Sequence, residues 1–317
     1  MTSLYRVGQT MRGSLGSCTI TREVQENVWF AMNQAQQTVV VKSVRDHPRI
    51  ANERDVLRRF QHRTPYLRPL IDEIDESSAP VTIALKYLHT DLLDASVKRT
   101  LNRKELKHVS RCVLEALKVL HEDGFVHTDV KADNVFVNLQ NGGTRFSDVQ
   151  LGDLGGCYPT DFKFATSGTM VGAPMWSSPE VLMELPCNTA TDIWSFGAML
   201  ISLIYGGNFN LFRPKGMDRD HKEYVVGIVK KQFSYFGPFP AKYAEVADPE
   251  TVQSIVYLML EIPQAKTTPF SRMTEREVIK KDNLFISKIM MLDWRDRPTA
   301  KELLEDKWWT DGEEDGN

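Results

Sequence analysis

Between residues 18 and 88 the apolar positions come in short alternating runs. "CTITREV", "NVWFAM" and "TVVVKSV" are rich in β-branched and aromatic residues and are separated by polar turns such as "NQAQQ", a pattern that predicts strands. One stretch breaks the alternation. In "RIANERDVLRRF", Ile50, Val56, Leu57 and Phe60 fall on a single helical face, and two more strand-like runs, "RPLIDEI" and "PVTIALKYL", follow it. After residue 90 the period lengthens. Leu106, Val109, Val113, Leu117 and Leu120 recur at three- and four-residue steps, predicting an amphipathic helix over 103–122. "NVFVNL" and "DVQLGD" then read as two strands, the Asn-Gly of "QNGGT" marking a tight hairpin between them. Most of the remainder is helical. The change of character near "KYLHTDL" divides the chain into a small β-rich part (1–88), a larger helical part (89–310) and an acidic, apolar-free tail (311–317) expected to fray.

Composition narrows the class. A chain of 317 residues is too long for one ordinary core, and 42% hydrophobic with 26% charged residues are the proportions of a globular protein. A formal net charge of −3 gives no reason to expect a nucleic-acid partner. The four cysteines (Cys18, Cys112, Cys157 and Cys187) form no CxxC pair and have no histidine cluster nearby, which argues against a zinc site and for a reducing compartment, cytoplasmic or nuclear. "MTSLYRVGQTMRG" lacks the apolar run of a signal peptide. "IWSFGAMLISLIY" is too short to span a bilayer, so no membrane association is expected and a buried helix is. Nothing points to an oligomer; a monomer is the default.

Chemistry concentrates in "HTDVKADN", where Asp129 and Lys131 are two apart and Asn134 lies five beyond Asp129, just ahead of a strand. "GDLGG" places Asp153 at the end of the following strand, and a hairpin between them would bring Asn134 and Asp153 to one edge. Two hard oxygen ligands held there suit Mg²⁺, which completes its shell with waters and phosphates. Asp129 is then free to accept a hydroxyl proton and Lys131 to offset the charge of a transferring phosphoryl group. A solvated loop supplies the same residue types by chance, so the rest of the chain has to decide. "VVVK" closes a strand with Lys42, Glu53 sits on the next helix, "SSPE" ends at Glu180, "DIWSFG" spans Asp192–Gly197 and "DWRDRP" spans Asp293–Pro298.

In this order the set resembles the eukaryotic protein kinases, over roughly residues 18–309. The resemblance implies a bilobal α+β kinase fold, the small lobe on the ATP side and the large one carrying the catalytic loop, activation segment and substrate docking. It implies ATP and Mg²⁺ as cofactors and a protein substrate. Lys42 would hold the α- and β-phosphates and pair with Glu53; Asp129 would be the catalytic base with Lys131 beside it; Asn134 and Asp153 would bind the metal. Ile20, Val28, Val40, Lys86, Leu88 and Phe136 would complete the ATP-binding set. Glu180 would pair with Arg297, Asp192 would anchor the central helix, and His127 would be structural. Lys131, two after the catalytic aspartate, resembles serine/threonine kinases. "HTD-x-K" with "DLG" is similar to the SR-protein kinases and related fungal kinases, and "FGPFP" at Phe236–Pro240 to the insert of the CMGC group, although the arginine which that group carries before its "APE" is Ser177 here.

Three departures from the family pattern stand out. "MRGSLGS" offers Gly13 and Gly16 as a phosphate loop, but then 24 residues separate Cys18 from Lys42, too many for one hairpin. Val28 is 14 residues before Lys42, which fits; "ITREVQENV" is then the loop, with no glycine and with Glu23 and Glu26 where phosphate should approach. Thr128 stands where the family has arginine, and Leu154 where it has phenylalanine. An active serine/threonine kinase is the first reading. A scaffolding pseudokinase with weak or no transfer is the alternative. Without an arginine at 128, the activation segment (Asp153 to Glu180, with Thr166, Ser167 and Thr169) is expected to be ordered by its own packing.

Overall fold

The structure, a computed structural model, describes residues 3–74 and 80–310; the acidic tail expected to fray lies outside them. Along the chain run β1 (Thr10–Arg12), β2 (Ser17–Gln25), β3 (Val28–Asn33), β4 (Thr38–Ser43), α1 (Arg49–Phe60), β5 (Leu70–Ile74), β6 (Thr82–Lys86) and β7 (Thr90–Asp91). Then follow α2 (Leu92–Lys98), α3 (Arg103–Glu122), β8 (Phe125–Val126), β9 (Val135–Leu139), β10 (Phe146–Leu151) and β11 (Tyr158–Pro159). The remaining helices are α4 (Lys163–Thr166), α5 (Pro179–Leu182), α6 (Ala190–Tyr205), α7 (Tyr224–Phe236), α8 (Pro249–Glu261), α9 (Lys280–Ile289) and α10 (Ala300–Leu304). They group into two compact units: Met1–Asp91 with Val135–Cys157, and Leu92–Asn134 with Tyr158–Asn317. The β9–β10 hairpin thus belongs with the β-rich unit, although it follows the change of pattern near residue 89.

The first unit is built on a six-stranded antiparallel sheet of order β1-β2-β3-β4-β6-β5. Its two edges meet: Gly13, just past β1, bridges to Ile74 of β5, and Ser14 N–H donates to the Glu73 carbonyl at 2.9 Å. Closure removes two exposed edges and explains Gly13, because a Cβ there would collide with the Asp72 carboxylate. One face of the strands buries Met11, Ile20, Trp29, Ala31, Val41 and Ala84 in a common core, to which Tyr5 contributes an edge-on contact with Trp29. The first strand had no signal in the alternation, being only three residues long. The β9–β10 connection also differs from expectation. Phe146 pairs with Leu139 and Gln140 N–H donates to Arg145 C=O at 3.0 Å, so "QNGGT" makes a longer loop, not a two-residue turn.

The second unit is helical. α3 begins at the predicted residue because Asn102 and Glu105 form a reciprocal capping box. α6 is buried continuously from Thr191 to Leu203, as an all-round apolar helix must be. No helix among the described residues is long and apolar enough to cross a membrane.

Candidate active site

In the first unit, pairing of Val28 with Lys42, Phe30 with Val40, and Val40 with Leu85 puts these side chains on the face opposite Trp29 and Val41. Lys42 reaches from that face to Glu53 of α1, its Nζ 3.2 and 3.1 Å from the two carboxylate oxygens. Glu53 is 1% exposed, so it is not the solvated helix acid that its neighbours Arg54 and Asp55 would make it. The same Nζ lies 3.1 Å from Asp153 Oδ1. Asp153 sits with φ 59, a left-handed conformation, at the start of the short turn Leu154–Gly156. α1 holds that turn twice. Asn52 donates to the carbonyls of Leu154, Gly155 and Cys157, the last at 2.9 Å, and Arg49 Nη2 contacts Asp153 Oδ2 at 2.7 Å. Both oxygens of the aspartate therefore face cations. Cys157 is fully buried, in line with an unremarkable thiol.

The two candidate phosphate loops separate clearly. β2 continues to Gln25, which pairs with Val28, so the turn at Glu26–Asn27 adjoins the Val28–Lys42 pair. Gly13 and Gly16 lie beyond the other end of β2, where Cys18 pairs with Asn33, roughly 25 Å of strand from Gln25 at about 3.3 Å per residue. The spacing argument for "ITREVQENV" holds. The place of Glu23 needs correction, however, while Glu26 stays in the turn. Glu23 pairs with Trp29 and Arg22 with Phe30, so the residue on the Lys42 face is Arg22, whose guanidinium stands 4.9 Å over the Phe30 ring. Ile20 is also corrected: it packs in the core with Trp29 and Ala31 and is separated from Val28, Val40 and Lys42. A bulge between Ile20 and Arg22 changes the register there, and no alternation count could place it.

Lys86 pairs with Val39 at the other end of β4, and its Nζ contacts Asp148 Oδ1 at 3.1 Å. Leu88 is buried. Phe136, on β9, carries over its ring face the guanidinium of Arg68 at 4.1 Å. Arg68 is 4% exposed and donates its Nε to the Lys86 carbonyl at 2.8 Å. Burial pulls its pKa down to about 10, while Glu53 and Asp153 oppose that shift; it is still cationic at neutral pH. At the head of the strand-like run "RPLIDEI" and on the polar side of "RIANERDVLRRF" a charged or amide residue carries no signal of a buried role, so Arg68, Arg49 and Asn52 are not legible from sequence.

The second unit holds Asp129, Lys131 and Asn134. Lys131 Nζ lies 3.0 Å from Asp129 Oδ2, and the Asn134 amide donates to the same oxygen at 2.9 Å and to the Asp129 carbonyl at 2.8 Å. Asp129 Oδ1 is buried with no hydrogen-bond partner among the described residues. The loop is pinned from below by α6: Asp192 accepts the backbone N–H of His127 at 2.7 Å and of Thr128 at 2.9 Å, with His121 Nε2 also 2.9 Å away. These bonds hold Thr128 at φ 70, a region that costs a β-branched residue about 1–3 kcal/mol. His127 is fully buried, and its Nδ1 accepts from Asp129 N–H at 3.3 Å, a structural position.

Downstream, Gly172 at φ +74 lies so near the Thr128 carbonyl that a Cβ would collide with it. Ala165, Val181 and Cys187 form a small core against Met170 and Val171, and Cys187 N–H donates to Ala165 C=O at 3.0 Å. Burial pushes the Cys187 thiol up to about 11. Thr166 and Ser167 are exposed, and the Ser167 and Thr169 hydroxyls are 2.8 Å apart. Arg145, in the β9–β10 connection, holds its guanidinium 4.9 Å from the Phe146 ring centroid in the first unit. Glu180 and Arg297 make a bidentate pair at 2.6 and 2.8 Å, both buried, under the Trp194 ring.

Comparison with known proteins agrees with this arrangement. A serine/threonine-protein kinase named SMU1, from Mycosarcoma maydis, is 30% identical over 210 residues, covering 64% of this chain and 25% of that protein. The serine/threonine-protein kinase shk1/pak1 of Schizosaccharomyces pombe is 28% identical over 215 residues, 65% of this chain and 30% of the relative. This chain thus spans under a third of either protein. The varicella-zoster virus serine/threonine-protein kinase US3 homolog is 28% identical over 306 residues, 94% of this chain and 74% of its own length. A chain in the crystal structure of the yeast RNA Pol II CTD kinase CTDK-1 complex superposes with a TM-score of 0.71 at 20% identity, covering 97% of this chain and 95% of that one, which speaks for the fold alone. Since residues 5–309 also match the protein kinase domain family, and the Lys42–Glu53 and Glu180–Arg297 pairs stand where its motifs require them, the chain belongs to the protein kinases.

Proposed function

We propose that this chain is a serine/threonine protein kinase that transfers the γ-phosphate of ATP to a protein hydroxyl. The observation that carries the proposal is Asp129. One carboxylate oxygen is held by Lys131 and Asn134, and the other is buried without a partner among the described residues. A carboxylate oriented through one oxygen keeps the second for a proton, which suits a general base acting on a substrate hydroxyl. Lys131, 3.0 Å away, offsets negative charge as the phosphoryl group transfers. In the first unit Glu53 holds Lys42 for the α- and β-phosphates, while Val28 and Val40 supply apolar surface on the same sheet face.

The donor set fits a hard divalent cation. No group of three or more His, Cys, Asp or Glu among the described residues could hold a metal unaided, and Mg²⁺ characteristically takes one or two protein oxygens and completes its shell with phosphates and water. Asp153 and Asn134 are the residues that would hold it. When bound, Mg²⁺ neutralises charge on the phosphate oxygens.

The names of the relatives support serine/threonine specificity, as does Lys131. A cytoplasmic or nuclear location and action as a monomer are part of the same proposal. The pseudokinase reading draws on the glycine-free strand that continues, through two register shifts, to Gln25 and on the two cations at Asp153. Labelled ATP with Mg²⁺ and a generic basic protein substrate separates the two. Wild type should transfer, and Asp129→Asn should keep nucleotide binding while losing transfer by about 10²–10⁴-fold. Near-wild-type transfer in Asp129→Asn sinks the assignment; binding without transfer by wild type favours the scaffold.

A further inference from the structure

Arg68 has no part in the reaction outlined above, yet it is the most deeply buried cation beside the residues that would bind nucleotide. The segment carrying it is fixed. Leu151 N–H donates to Tyr66 C=O at 2.7 Å and Arg68 N–H to Leu151 C=O at 2.8 Å, so Arg68 is pressed against the β9–β10 hairpin. Its side chain touches two members of the nucleotide set, the Lys86 carbonyl through Nε and the Phe136 ring face through the guanidinium plane. A Cβ at Gly152 would press on the Arg68 Cδ, so the glycine makes room for it.

Position on the sheet indicates which part of a nucleotide this end meets. Lys42 pairs with Ile83 and Val39 with Lys86, so Lys86 lies three residues along β4 from the phosphate-holding lysine, about 10 Å at roughly 3.3 Å per residue. With phosphates at Lys42, the base points toward Lys86 and Phe136. There the Lys86 carbonyl, an acceptor that would read an exocyclic amino group, already accepts from Arg68. The two terminal guanidinium nitrogens have no hydrogen-bond acceptor among the described residues, and an arginine offers donors only. Adenine presents an amino donor at its 6-position, whereas guanine presents an oxygen acceptor there. Donor facing donor is unfavourable; donor facing acceptor is a charge-assisted hydrogen bond.

We propose that Arg68 is a base-specificity residue, and that it makes the nucleotide site of this kinase accept a 6-oxopurine triphosphate at least as well as ATP. This inference rests on the nucleotide reading given above. Calorimetric titration of the full chain with Mg·ATP and with Mg·GTP tests it, alongside Arg68→Met, which keeps the volume of the stem and removes the donors. Wild type is expected to bind GTP no more weakly than ATP. Arg68→Met should shift the ratio of affinities toward ATP by about tenfold or more, the scale of one hydrogen bond to a charged group. Thermal melts establish that the variant is folded; if it is not, Arg68→Lys, with charge retained but the planar fork lost, must shift the ratio in the same direction. ATP binding more than tenfold tighter than GTP in wild type, or an unchanged ratio in the folded variant, overturns the inference while leaving the kinase reading intact. Failure of both nucleotides to bind both proteins overturns the nucleotide reading itself, and this inference with it.

Discussion

Replacing Arg297 by methionine should be among the most damaging single changes in the second unit. Arg297 makes two bonds to Glu180, at 2.6 and 2.8 Å, and three more to the carbonyls of Met291, Ala190 and Leu292. The side chains are 0% and 2% exposed, and the guanidinium lies 5.1 Å from the Trp194 ring centroid. Methionine fills most of the volume but leaves the Glu180 carboxylate charged, dry and unpaired. Breaking a buried pair from one side costs about 3–5 kcal/mol. For a unit of this size each kcal/mol moves the melting midpoint by roughly 2–4 °C, so a fall of about 6–20 °C is expected. Thermal unfolding followed by tryptophan fluorescence reads it, because Trp194 is in contact with the pair. The double change Glu180→Leu with Arg297→Met should recover much of the loss, since an apolar replacement of both charges removes the uncompensated one. A single-variant cost below about 1 kcal/mol, or a double variant with the sum of both losses, would refute the reasoning.

Three further outcomes are expected. Gly172→Ala forces a Cβ onto the Thr128 carbonyl at a backbone φ of +74; it should cost about 1–3 kcal/mol and lower transfer more than nucleotide binding, as steady-state kinetics would reveal. Arg49→Gln removes one cation from Asp153 Oδ2, and because Arg49 is 43% exposed the pair is partly screened; Mg²⁺ affinity measured by calorimetry should rise only a few-fold, and a fall would count against competition for that oxygen. Thr166→Ala, Ser167→Ala and Thr169→Ala should each alter activity only a few-fold, and phosphatase treatment should do little. The segment is held by Gly172 against Thr128 and by the Ala165, Val181 and Cys187 core, and among the described residues the three hydroxyls bond only carbonyls or one another, so no charge-assisted pair is lost with them. Loss of activity on dephosphorylation, restored at one of these sites, would contradict that.

Much of this protein was legible in its sequence. Periodicity placed α1 and α3 at their observed bounds, Arg49–Phe60 and Arg103–Glu122, because each presents one continuous apolar stripe and α3 carries its own cap. The pairs Lys42–Glu53 and Glu180–Arg297 were legible from motif order, and the distance from Val28 to Lys42 identified the hairpin that adjoins the lysine. What the sequence could not determine is whatever depends on non-local pairing. The closure of the sheet by Gly13 and Ile74, which turns a tempting glycine pair into a structural seam, joins residues some sixty positions apart. The bulge at Ile20–Arg22 decides that Ile20 enters the core and that Arg22, not Glu23, shares the Lys42 face, because a shift of one residue exchanges the two faces of a strand. Arg68 belongs to the same class: its burial against Leu151, its bond to Lys86 and its place on Phe136 all come from residues distant in sequence. Local sequence selects helices, strands and ionic partners; only tertiary packing decides which face a side chain takes and whether a charge stays in water.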